Sequence, residues 1–467
     1  MLTYTLEKDA GVLYEQLYRH VKEDILQGTL KKGEKLPSKR MLAQHLQISV
    51  VTVENAYEQL MAEGYIYARE KRGYFVAAVE RHLPSPSAPA VSTEAKDERE
   101  RTWLLDFVTN TTAAEYFPFA TWARLMRRTI LDQNTALLRP TPPTGAPELR
   151  QAIAEYLRAF RGMRVRPGQI ILGAGTEVLY NLLIRLLGQE KCYAVEDPGY
   201  GKIARIYESN GVVVRRIAVD EGGLSVAALR RSDADVVHIS PSHHYPTGIV
   251  MPIGRRQELL RWAGEQEGRY VLEDDYDSEF RFAGRPIPTL FSADKHARVI
   301  YLNTFSKTIA PSIRMSYMIL PEHLMEVYRR RLGFYACTVS SFEQYTLASF
   351  LSGGHYEQHL RCMKTRYHQK RDTVIAAIRQ GLPGARITEQ DAGLHFLVRL
   401  DTDLTDDTLR RRAADQGVRL ALLSDYYARS DDAPPHVLVV NYSGIDTANL
   451  SEGLRRLNGI LEGTKRS

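Results

Sequence analysis

Cysteine and long apolar runs are scarce in this chain of 467 residues. The three cysteines, Cys192, Cys337 and Cys362, are far apart, odd in number and form no metal-spaced pair, which fits a reducing compartment rather than a disulfide framework. No apolar run approaches the roughly 20 residues that a membrane helix needs, and the N-terminus lacks a basic start followed by an apolar stretch. We therefore expect a cytoplasmic protein with no membrane partner.

An excess of charge is also largely missing. The formal net charge is +6, and the hydrophobic share of 44% and the charged share of 25% are ordinary for a globular protein. The length is too great for one compact core, so two or more domains are expected. Prolines and then dense charge between Val79 and Trp103 predict a solvated linker. This divides the chain into a first domain at 1–78, a linker at 79–103 and a second domain at 104–467.

The first domain shows the pattern of a helix-turn-helix. Apolar residues recur at helical spacing over 12–26, and Gly28 follows as a stop signal. Ser38 is placed to cap a short helix through Leu46. Ser49 is placed in the same way to cap a second short helix.

A small hairpin with basic residues is predicted after these helices, because residues 64–76 alternate around Gly73. DNA binding needs a helix slim enough for the major groove and cations that meet phosphates and base edges. The candidate DNA contacts are two basic clusters and polar residues of the second helix: Lys39, Arg40, Ser49, Thr52, Asn55, Arg69, Lys71 and Arg72.

The complete unit resembles the winged helix of the GntR regulators, which implies double-stranded DNA as a partner. Each basic cluster alone is more often a solvated surface, and the order of helix, turn, helix and basic wing is what favours DNA binding. The family usually carries an arginine directly after the serine that opens the recognition helix, and Val50 stands there in this chain. The readout is therefore expected to depend more on Arg40, Thr52 and Asn55.

The second domain alternates helices with short apolar strands. The strands are predicted at 169–173, 192–196, 236–240, 270–274 and 299–302. Such alternation indicates a mostly parallel sheet covered by helices, with ligands at the carboxyl ends of the strands. The expected fold is therefore α/β and multidomain.

Two motifs follow these strands. Lys307 lies within the segment 301–314, downstream of a carboxylate cluster at 273–277. A lysine amine forms a Schiff base with the aldehyde of pyridoxal 5'-phosphate. Either motif alone is more often a loop lysine or a strand-end cap, but together and in this order they indicate that cofactor.

This region resembles the fold-type I aminotransferases, and the whole chain resembles the MocR/GabR subfamily of GntR regulators. The resemblance implies that Lys307 carries the Schiff base, that Asp274 keeps the pyridine nitrogen protonated, that Tyr276 contacts the ring hydroxyl and that Tyr200 stacks on the ring. A phosphate needs a cation, hydroxyls and free amides at a helix start. The expected phosphate contacts are Arg314, Thr304, Ser306, Gly175 and Thr176.

The same comparison shows departures from aminotransferases and from the GABA sensor. Tyr245 stands where free-standing aminotransferases commonly carry an asparagine. Lys202 and Gly444 stand where members resembling the GABA sensor carry arginines, and neither offers the fork that suits a carboxylate. The expected effector pocket contains Lys202, His243, Tyr245 and His395, with Arg399 at its edge. No metal is expected, because the adjacent His243 and His244 lack further ligands.

These features predict a transcriptional regulator that senses a small amine, an amino acid or pyridoxal phosphate itself. An effector amine would displace Lys307 and favour one DNA-binding arrangement over another. A homodimer is expected, because fold-type I domains build their sites at a dimer interface; the subfamily also implies exchange of the DNA modules. One alternative is a genuine aminotransferase with a partner-binding module, and the other is a DNA-binding repressor with a cofactor-free domain.

Overall fold

The computed structural model divides into two compact units, Met1–Arg101 and Thr102–Ser467. The residues that it describes are 2–6, 11–79, 102–110, 112, 114–282, 287–388 and 392–462. The proposed linker at 79–103 lies for the most part outside the described residues, so its boundaries stay a prediction. Among the described residues, no helix is long and apolar enough to cross a membrane.

The first unit contains the predicted helices, α1 (Leu13–Gln27), α2 (Lys39–Leu46) and α3 (Val50–Ala62). Gly28 ends α1 in the left-handed conformation at φ 81°. The Ser38 hydroxyl accepts a hydrogen bond from the amide of Met41, and the Ser49 hydroxyl accepts one from the amide of Thr52 at 3.0 Å. Both predicted caps are therefore confirmed.

An antiparallel hairpin follows the helices, with strands β1 (Ile66–Arg69) and β2 (Gly73–Val76) in the register Ile66 to Val76. The turn lies at residues 70–72, so Gly73 begins the second strand and is not the centre of the turn. The first unit has its own core, to which all three helices and both strands contribute. Its buried members include Leu17, Val53, Tyr57, Leu60, Ile66 and Val76.

The second unit is built on a sheet of eight strands. In chain order the strands of this unit are β3 (Leu105–Asp106), β4 (Ile170–Gly173), β5 (Cys192–Asp197), β6 (Val213–Asp220), β7 (Gly223–Leu224), β8 (Val236–Ile239), β9 (Tyr270–Asp274), β10 (Val299–Thr304), β11 (Ser316–Ile319), β12 (Arg386–Thr388), β13 (His395–Arg399), β14 (Val418–Arg419) and β15 (Val437–Asn441). The order in the large sheet is β4, β11, β10, β9, β8, β5, β6, β7.

The five strands from β10 to β6 in this order run parallel, whereas β11 is antiparallel to both of its neighbours and β7 is antiparallel to β6. The prediction of a mostly parallel sheet is therefore confirmed. Strands β12, β13 and β15 form a separate antiparallel sheet, and β14 pairs with β3. Since parallel strands end at the same edge, the residues after β5, β8, β9 and β10 meet there.

Helices accompany the strands along the second unit. They are α4 (Phe119–Asp132), α5 (Asn134–Leu137), α6 (Pro147–Tyr156), α7 (Thr176–Leu187), α8 (Gly201–Ser209), α9 (Val226–Arg231), α10 (Ile253–Glu265), α11 (Leu290–Ala293), α12 (Glu322–Leu332), α13 (Ser341–Ser352), α14 (His355–Gly381), α15 (Asp406–Asp415) and α16 (Leu450–Glu462). Helix α7 packs its buried leucines into a core shared with β4, β5, β9, β10 and β11.

One buried arginine holds the loop after β8. Arg256 on α10 is 4% exposed and donates hydrogen bonds to the carbonyl oxygens of Met251, Pro288 and Pro241 at 2.9, 2.8 and 2.7 Å. Pro241 and Met251 flank the loop that carries His243 and Tyr245, so this guanidinium fixes both ends of that loop. An arginine is suited to this role because its fork presents several donors in a fixed geometry.

Candidate functional site

The carboxylate of Asp274 lies at the end of β9, and only one of its two oxygens has hydrogen-bond partners. Its Oδ2 accepts a hydrogen bond from the Tyr180 hydroxyl at 2.6 Å and lies 3.3 Å from Nε2 of His238. Its Oδ1 is buried and has no hydrogen-bond partner among the described residues. A buried acceptor without a donor is costly. Asp274 therefore fits a ligand that donates a hydrogen bond at this point.

The two other aspartates of the motif already have partners. Asp275 accepts hydrogen bonds from the Tyr301 and Ser278 hydroxyls at 2.6 and 2.8 Å, and it forms an ion pair with Arg161. Asp277 lies 2.8 Å from Nδ1 of His243. The partners of the three aspartates therefore differ. Oδ1 of Asp275 is also without a hydrogen bond, but Asp275 is paired with a guanidinium, whereas Asp274 has no arginine or lysine partner among the described residues.

Lys307 is half-buried and lies near Asp277 in the same region. Its Nζ donates a hydrogen bond to the carbonyl oxygen of Asn110 at 2.9 Å. Burial lowers the pKa of this amine, and the negative charge of Asp277 opposes that effect. A lysine with a lowered pKa holds more of the neutral amine that acts as a nucleophile.

The segment around Asn110 was not identified from the sequence. The Asn110 amide donates to Oδ1 of Asn441 at 3.3 Å, and its Oδ1 accepts a hydrogen bond from the Ser443 hydroxyl at 3.0 Å. Asn441 donates in turn to the carbonyl oxygens of Phe107 and Val108. The segment 107–110 lies more than 300 positions from Asn441 and Ser443 in the chain, and no local signal links the two segments.

Hydroxyl groups cluster at the end of β10. The Thr304 hydroxyl accepts hydrogen bonds from the Ser306 amide at 3.1 Å and the Ser316 hydroxyl at 2.8 Å, and it donates to the Ser306 hydroxyl at 2.9 Å. Ser306 is thus held beside Lys307 by Thr304. Both predicted hydroxyl contacts lie in one network.

A cation and a helix start meet beside these hydroxyls. Thr176 is the first residue of α7, and Gly175 before it has a φ of 97°. A Cβ at Gly175 would collide with the guanidinium of Arg314, so glycine is required for this close approach. A helix start with free amides next to an arginine is suited to a phosphate.

Glu177 occupies this anion site in the structure. Its carboxylate forms ion pairs with both Arg314 and Lys202. Although partial burial raises the pKa of Glu177, the bonds from Lys202 and Arg314 outweigh it and leave the pKa below its usual value. The sequence drew no attention to Glu177, because a glutamate in the first turn of a helix is ordinary.

Aromatic side chains form one wall near the predicted stacking residue. Tyr200 is 51% exposed, and its ring meets that of Tyr245 edge to face at 6.0 Å. The Tyr245 hydroxyl lies 2.7 Å from that of Tyr426, and its ring lies 4.9 Å from His395. Tyr426, another residue that sequence reasoning missed, comes from a segment near the far end of the chain.

The predicted pocket histidines, His243 and His395, lie together next to Tyr245. The rings of His243 and His395 are 4.5 Å apart, and the Tyr276 hydroxyl lies 3.4 Å from Nδ1 of His243. His243, Asp277 and His395 offer ligand atoms within 4.8 Å of one another, a spacing compatible with a metal ion. Burial and the neighbouring histidine lower the pKa of His395. The absence of a metal stays a prediction.

Arg399 does not join this cluster. It is exposed and pairs with Val437 on β15, whereas His395 pairs with Asn441 at the other end of the same ladder.

A buried glutamate and histidine lie behind the cofactor site. Glu196 accepts a hydrogen bond from the Ser240 amide at 3.0 Å, and Nε2 of His244 lies 3.5 Å from its carboxylate. Burial raises the pKa of Glu196 to about 8 and lowers that of His244 to about 3. Burial therefore favours the neutral form of both groups, which weakens any ion pair between them.

The predicted DNA contacts all belong to the first unit. Arg40, Ser49 and Asn55 are exposed, as are Arg69, Lys71 and Arg72 on the hairpin. Lys39 is less free, because its Nζ lies 2.6 Å from Glu54 and over the ring of Tyr74. The Thr52 hydroxyl lies 2.8 Å from that of Ser49.

Comparison with known proteins agrees with both units. The family described as bacterial regulatory proteins of the gntR family matches residues 13–76, and the family described as aminotransferase class I and II matches residues 107–457. The chain therefore combines a GntR helix-turn-helix with an aminotransferase-like domain that binds pyridoxal phosphate.

Relatives of nearly full length share this arrangement. The uncharacterized HTH-type transcriptional regulator YdeL of Bacillus subtilis is 36% identical over 95% of this chain and 96% of its own length. The probable rhizopine catabolism regulatory protein MocR of Rhizobium meliloti is 34% identical over 97% and 94%. The pyridoxine biosynthesis regulator PdxR of Corynebacterium glutamicum is 31% identical over 88% of each chain. The chain belongs to the MocR-like subfamily of GntR regulators.

Solved structures resemble the second unit. A kynurenine aminotransferase of Pyrococcus horikoshii has a TM-score of 0.69 at 23% identity and covers 81% of this chain and 96% of its own. The alpha-aminoadipate aminotransferase LysN of Thermus thermophilus, complexed with a phosphopyridoxyl-leucine, has a TM-score of 0.67 at 25% identity and covers 79% and 95%. The prediction of a fold-type I domain is confirmed.

We predict that Glu177→Gln strengthens the binding of pyridoxal phosphate by about five-fold, because a carboxylate that competes with the phosphate for Arg314 is removed. The measurement is a titration of cofactor-stripped protein followed by visible absorbance. Pyridoxal, which lacks the phosphate, is the matched control and should bind equally to both proteins. Equal gains for the two ligands, or weaker binding of pyridoxal phosphate, would contradict the competition.

We also predict a pH dependence of stability from Glu196. Its folded pKa of about 8 lies above the ordinary value of 4.5, so its contribution to stability is present below pH 4.5 and is lost as the pH rises towards 8. Over this range the free energy of unfolding of Glu196→Gln should rise relative to wild type on the order of 1.4 kcal/mol per pH unit.

Urea unfolding followed by tryptophan fluorescence measures this difference. All three tryptophans, Trp103, Trp122 and Trp262, lie in the second unit, so the signal reports the unit that contains Glu196. Glu221→Gln removes an exposed carboxylate and serves as the control. A difference between Glu196→Gln and wild type that is constant from pH 5 to pH 8 would show that Glu196 is not buried in its neutral form.

Proposed function

We propose that this PLP-dependent transcriptional regulator senses an amine, an amino acid or pyridoxal phosphate through the site around Lys307 and transmits the signal to DNA. One observation carries the proposal: the half-buried Lys307 and the half-satisfied Asp274 carboxylate lie at or just after the ends of neighbouring parallel strands at the same edge of the sheet, in a chain that also carries a GntR helix-turn-helix. Such a site suits a ligand with an aldehyde and a protonated ring nitrogen.

Each group of the cofactor has a matching set of residues. The free Oδ1 of Asp274 would accept a hydrogen bond from the protonated pyridine nitrogen. Arg314, the α7 start at Gly175 and Thr176, and the hydroxyls of Thr304 and Ser306 hold the phosphate. Tyr276 contacts the ring hydroxyl, and Tyr200 stacks on the ring face. When bound, pyridoxal phosphate supplies an aldehyde carbon that amines attack, and Lys307 is the amine that this chain supplies.

The pocket beside this site favours an effector with an amino group. Lys202, His243, Tyr245 and His395 line it, and Lys202 is already paired with Glu177. A single ammonium in an ion pair lacks the bidentate fork with which an arginine holds a carboxylate. GABA is therefore a poor candidate, and a small amine, another amino acid or a peptide with a free amino group fits better.

The first unit is proposed to bind an operator in double-stranded DNA. The exposed cations Arg40, Arg69, Lys71 and Arg72 are suited to phosphates, and Ser49, Thr52 and Asn55 lie on the helix that would enter the major groove. Lys39 contributes to the positive potential while it is paired with Glu54. Effector binding shifts transcription only if it favours one DNA-binding arrangement over another.

A cytoplasmic homodimer is the proposed form. The surface of α4 and its surroundings supports this, because Phe119 and Leu131 are 66% and 67% exposed and lie along an apolar groove with Trp122 and Met126. An exposed apolar surface of this kind is typical of a protein interface. Two winged helices would then bind repeated or inverted half-sites, and exchange of the DNA modules between subunits is part of the proposal.

An aminotransferase with a DNA-binding or partner-binding module is the second candidate. The complete set of Lys307, Asp274 and Arg314 favours it, whereas Tyr245 in place of the usual asparagine favours a sensor. Turnover of an amino donor and a keto acid at enzymatic rates, about 1 per second or faster, would establish the enzyme. We expect slow half-reactions at most.

We predict that Lys307→Ala abolishes the visible absorbance that arises from the covalent link between the lysine and the cofactor, because that link needs the lysine amine. The variant should still bind DNA but should lose its response to amines and to added pyridoxal phosphate, as measured by electrophoretic mobility shift. Lys295→Ala removes an exposed lysine of the same unit and should behave like wild type. Retained absorbance or an unchanged response in Lys307→Ala would contradict the proposal.

We predict that alanine variants of Arg40, Thr52 and Asn55 alter the operator footprint. Loss of a base contact should weaken specific binding by about ten-fold, while binding to unrelated duplexes changes less. Arg19→Ala removes a cation from α1 and is the matched control for Arg40→Ala. Footprints that equal the wild-type pattern for all three variants would place the readout elsewhere.

A further inference from the structure

The recognition helix carries no cation. Helix α3 runs from Val50 to Ala62 with the sequence VVTVENAYEQLMA, in which the charged residues are Glu54 and Glu58. Arginine and lysine are the side chains that most often specify guanine, through its O6 and N7 acceptors. The first turns of this helix therefore lack the usual means of selecting a G·C pair.

Two valines at the start of the helix are exposed instead. Val50 and Val51 are 41% and 61% exposed, whereas Val53 is fully buried in the core of the first unit. Neither exposed valine belongs to that core. Val51 and Asn55 are four residues apart and thus lie on the same face of the helix. Both are exposed on this face.

The polar groups around the valines are already paired within the unit. The Glu54 carboxylate is bound by Lys39 at 2.6 Å, and the Ser49 and Thr52 hydroxyls lie 2.8 Å apart. The first turn of α3 therefore presents an apolar surface without a free charge. Exposed cations lie on either side of it in the chain, with Arg40 on α2 and Lys71 and Arg72 on the hairpin.

This combination fits one part of DNA better than others. The thymine C5-methyl is the apolar group in the major groove, and the adenine N6 and N7 form a donor and acceptor pair that an asparagine amide matches. The flanking cations are complementary to the phosphates on both sides of the groove.

We propose that α3 recognises A·T pairs, with Val50 and Val51 packed on thymine methyl groups and Asn55 hydrogen-bonded to adenine. The inference rests on the proposed binding of the first unit to DNA and adds which base pairs it selects. Val50 and Val51 are thereby specificity-determining residues, and the exposed apolar surface has the thymine methyl as its partner.

Replacement of thymine by deoxyuridine tests this directly, because it removes only the methyl group. The full-length protein with its cofactor first selects a duplex from a random library at fixed salt. Each thymine of the selected site is then replaced singly by deoxyuridine, and Kd is measured. We expect A·T pairs in each half-site and a loss of about four-fold in affinity at a contacted thymine, the effect of one buried methyl group.

Variants assign the effect to the helix. Val51→Ala and Val50→Ala should weaken binding to the thymine duplex but should bind the deoxyuridine duplex about as well as wild type does, since the partner methyl is already absent. Alanine is a good helix former, so the exposed turn should remain folded. Met41→Ala, which truncates an apolar residue that is 52% exposed on α2, is the control and should be equally sensitive to deoxyuridine as wild type.

The outcomes separate this inference from the proposed function. Specific binding that is unchanged by deoxyuridine at every thymine would overturn the inference and leave the DNA-binding function intact. A selected site of G·C pairs would overturn it as well. So would a deoxyuridine effect that is lost in Met41→Ala but retained in both valine variants. Failure to bind any duplex above the level of unrelated DNA would overturn both.

Discussion

Asp274, Asp275 and Asp277 are buried at the end of β9, and each carboxylate needs partners that offset the loss of its hydration. Asp275 has a guanidinium and hydroxyls, Asp277 has a histidine, and Asp274 has a tyrosine and a histidine; Asp274 and Asp275 each keep one oxygen without a hydrogen bond. A buried carboxylate without partners would take up a proton. The arrangement of the neighbouring loops follows from this need, because the partners come from α7, β8 and the loops that surround the sheet edge. The free Oδ1 of Asp274 is where we propose that the cofactor binds.

Two electrostatic features of the site are a lysine amine with a lowered pKa and a glutamate that pairs with two cations. Burial favours the neutral amine of Lys307, while Arg314 is held by Glu177 until an anion competes for it. The same glutamate forms an ion pair with Lys202, so the proposed phosphate site and the proposed effector pocket share one carboxylate. An anion that binds Arg314 would weaken the ion pair between Arg314 and Glu177. Glu177 would then be free to interact more strongly with Lys202.

Residues near the motifs could be predicted from the sequence, and their distant partners could not. The strand ends, both helix caps, Lys307, Asp274 and the Thr304 network follow from local pattern and resemblance. Asn110, Tyr180, Glu177 and Tyr426 carry no such signal, because their roles come from contacts between segments far apart in the chain. The hairpin turn was also displaced from its expected position, since left-handed backbone at Lys71 (φ 59°) allows the chain to reverse before Gly73.

The sequence by itself determined the two-part organisation, the helix-turn-helix and the alternating α/β pattern, and it marked Lys307 as the candidate lysine for the cofactor, because periodicity, caps and ordered motifs are local properties of the chain. Only the tertiary structure decided which oxygen of Asp274 remains free, that Glu177 occupies the anion site, and that Val50 and Val51 stay outside the core while Val53 lies within it. Burial and pairing depend on what the rest of the fold brings alongside each residue, and local sequence does not contain that information.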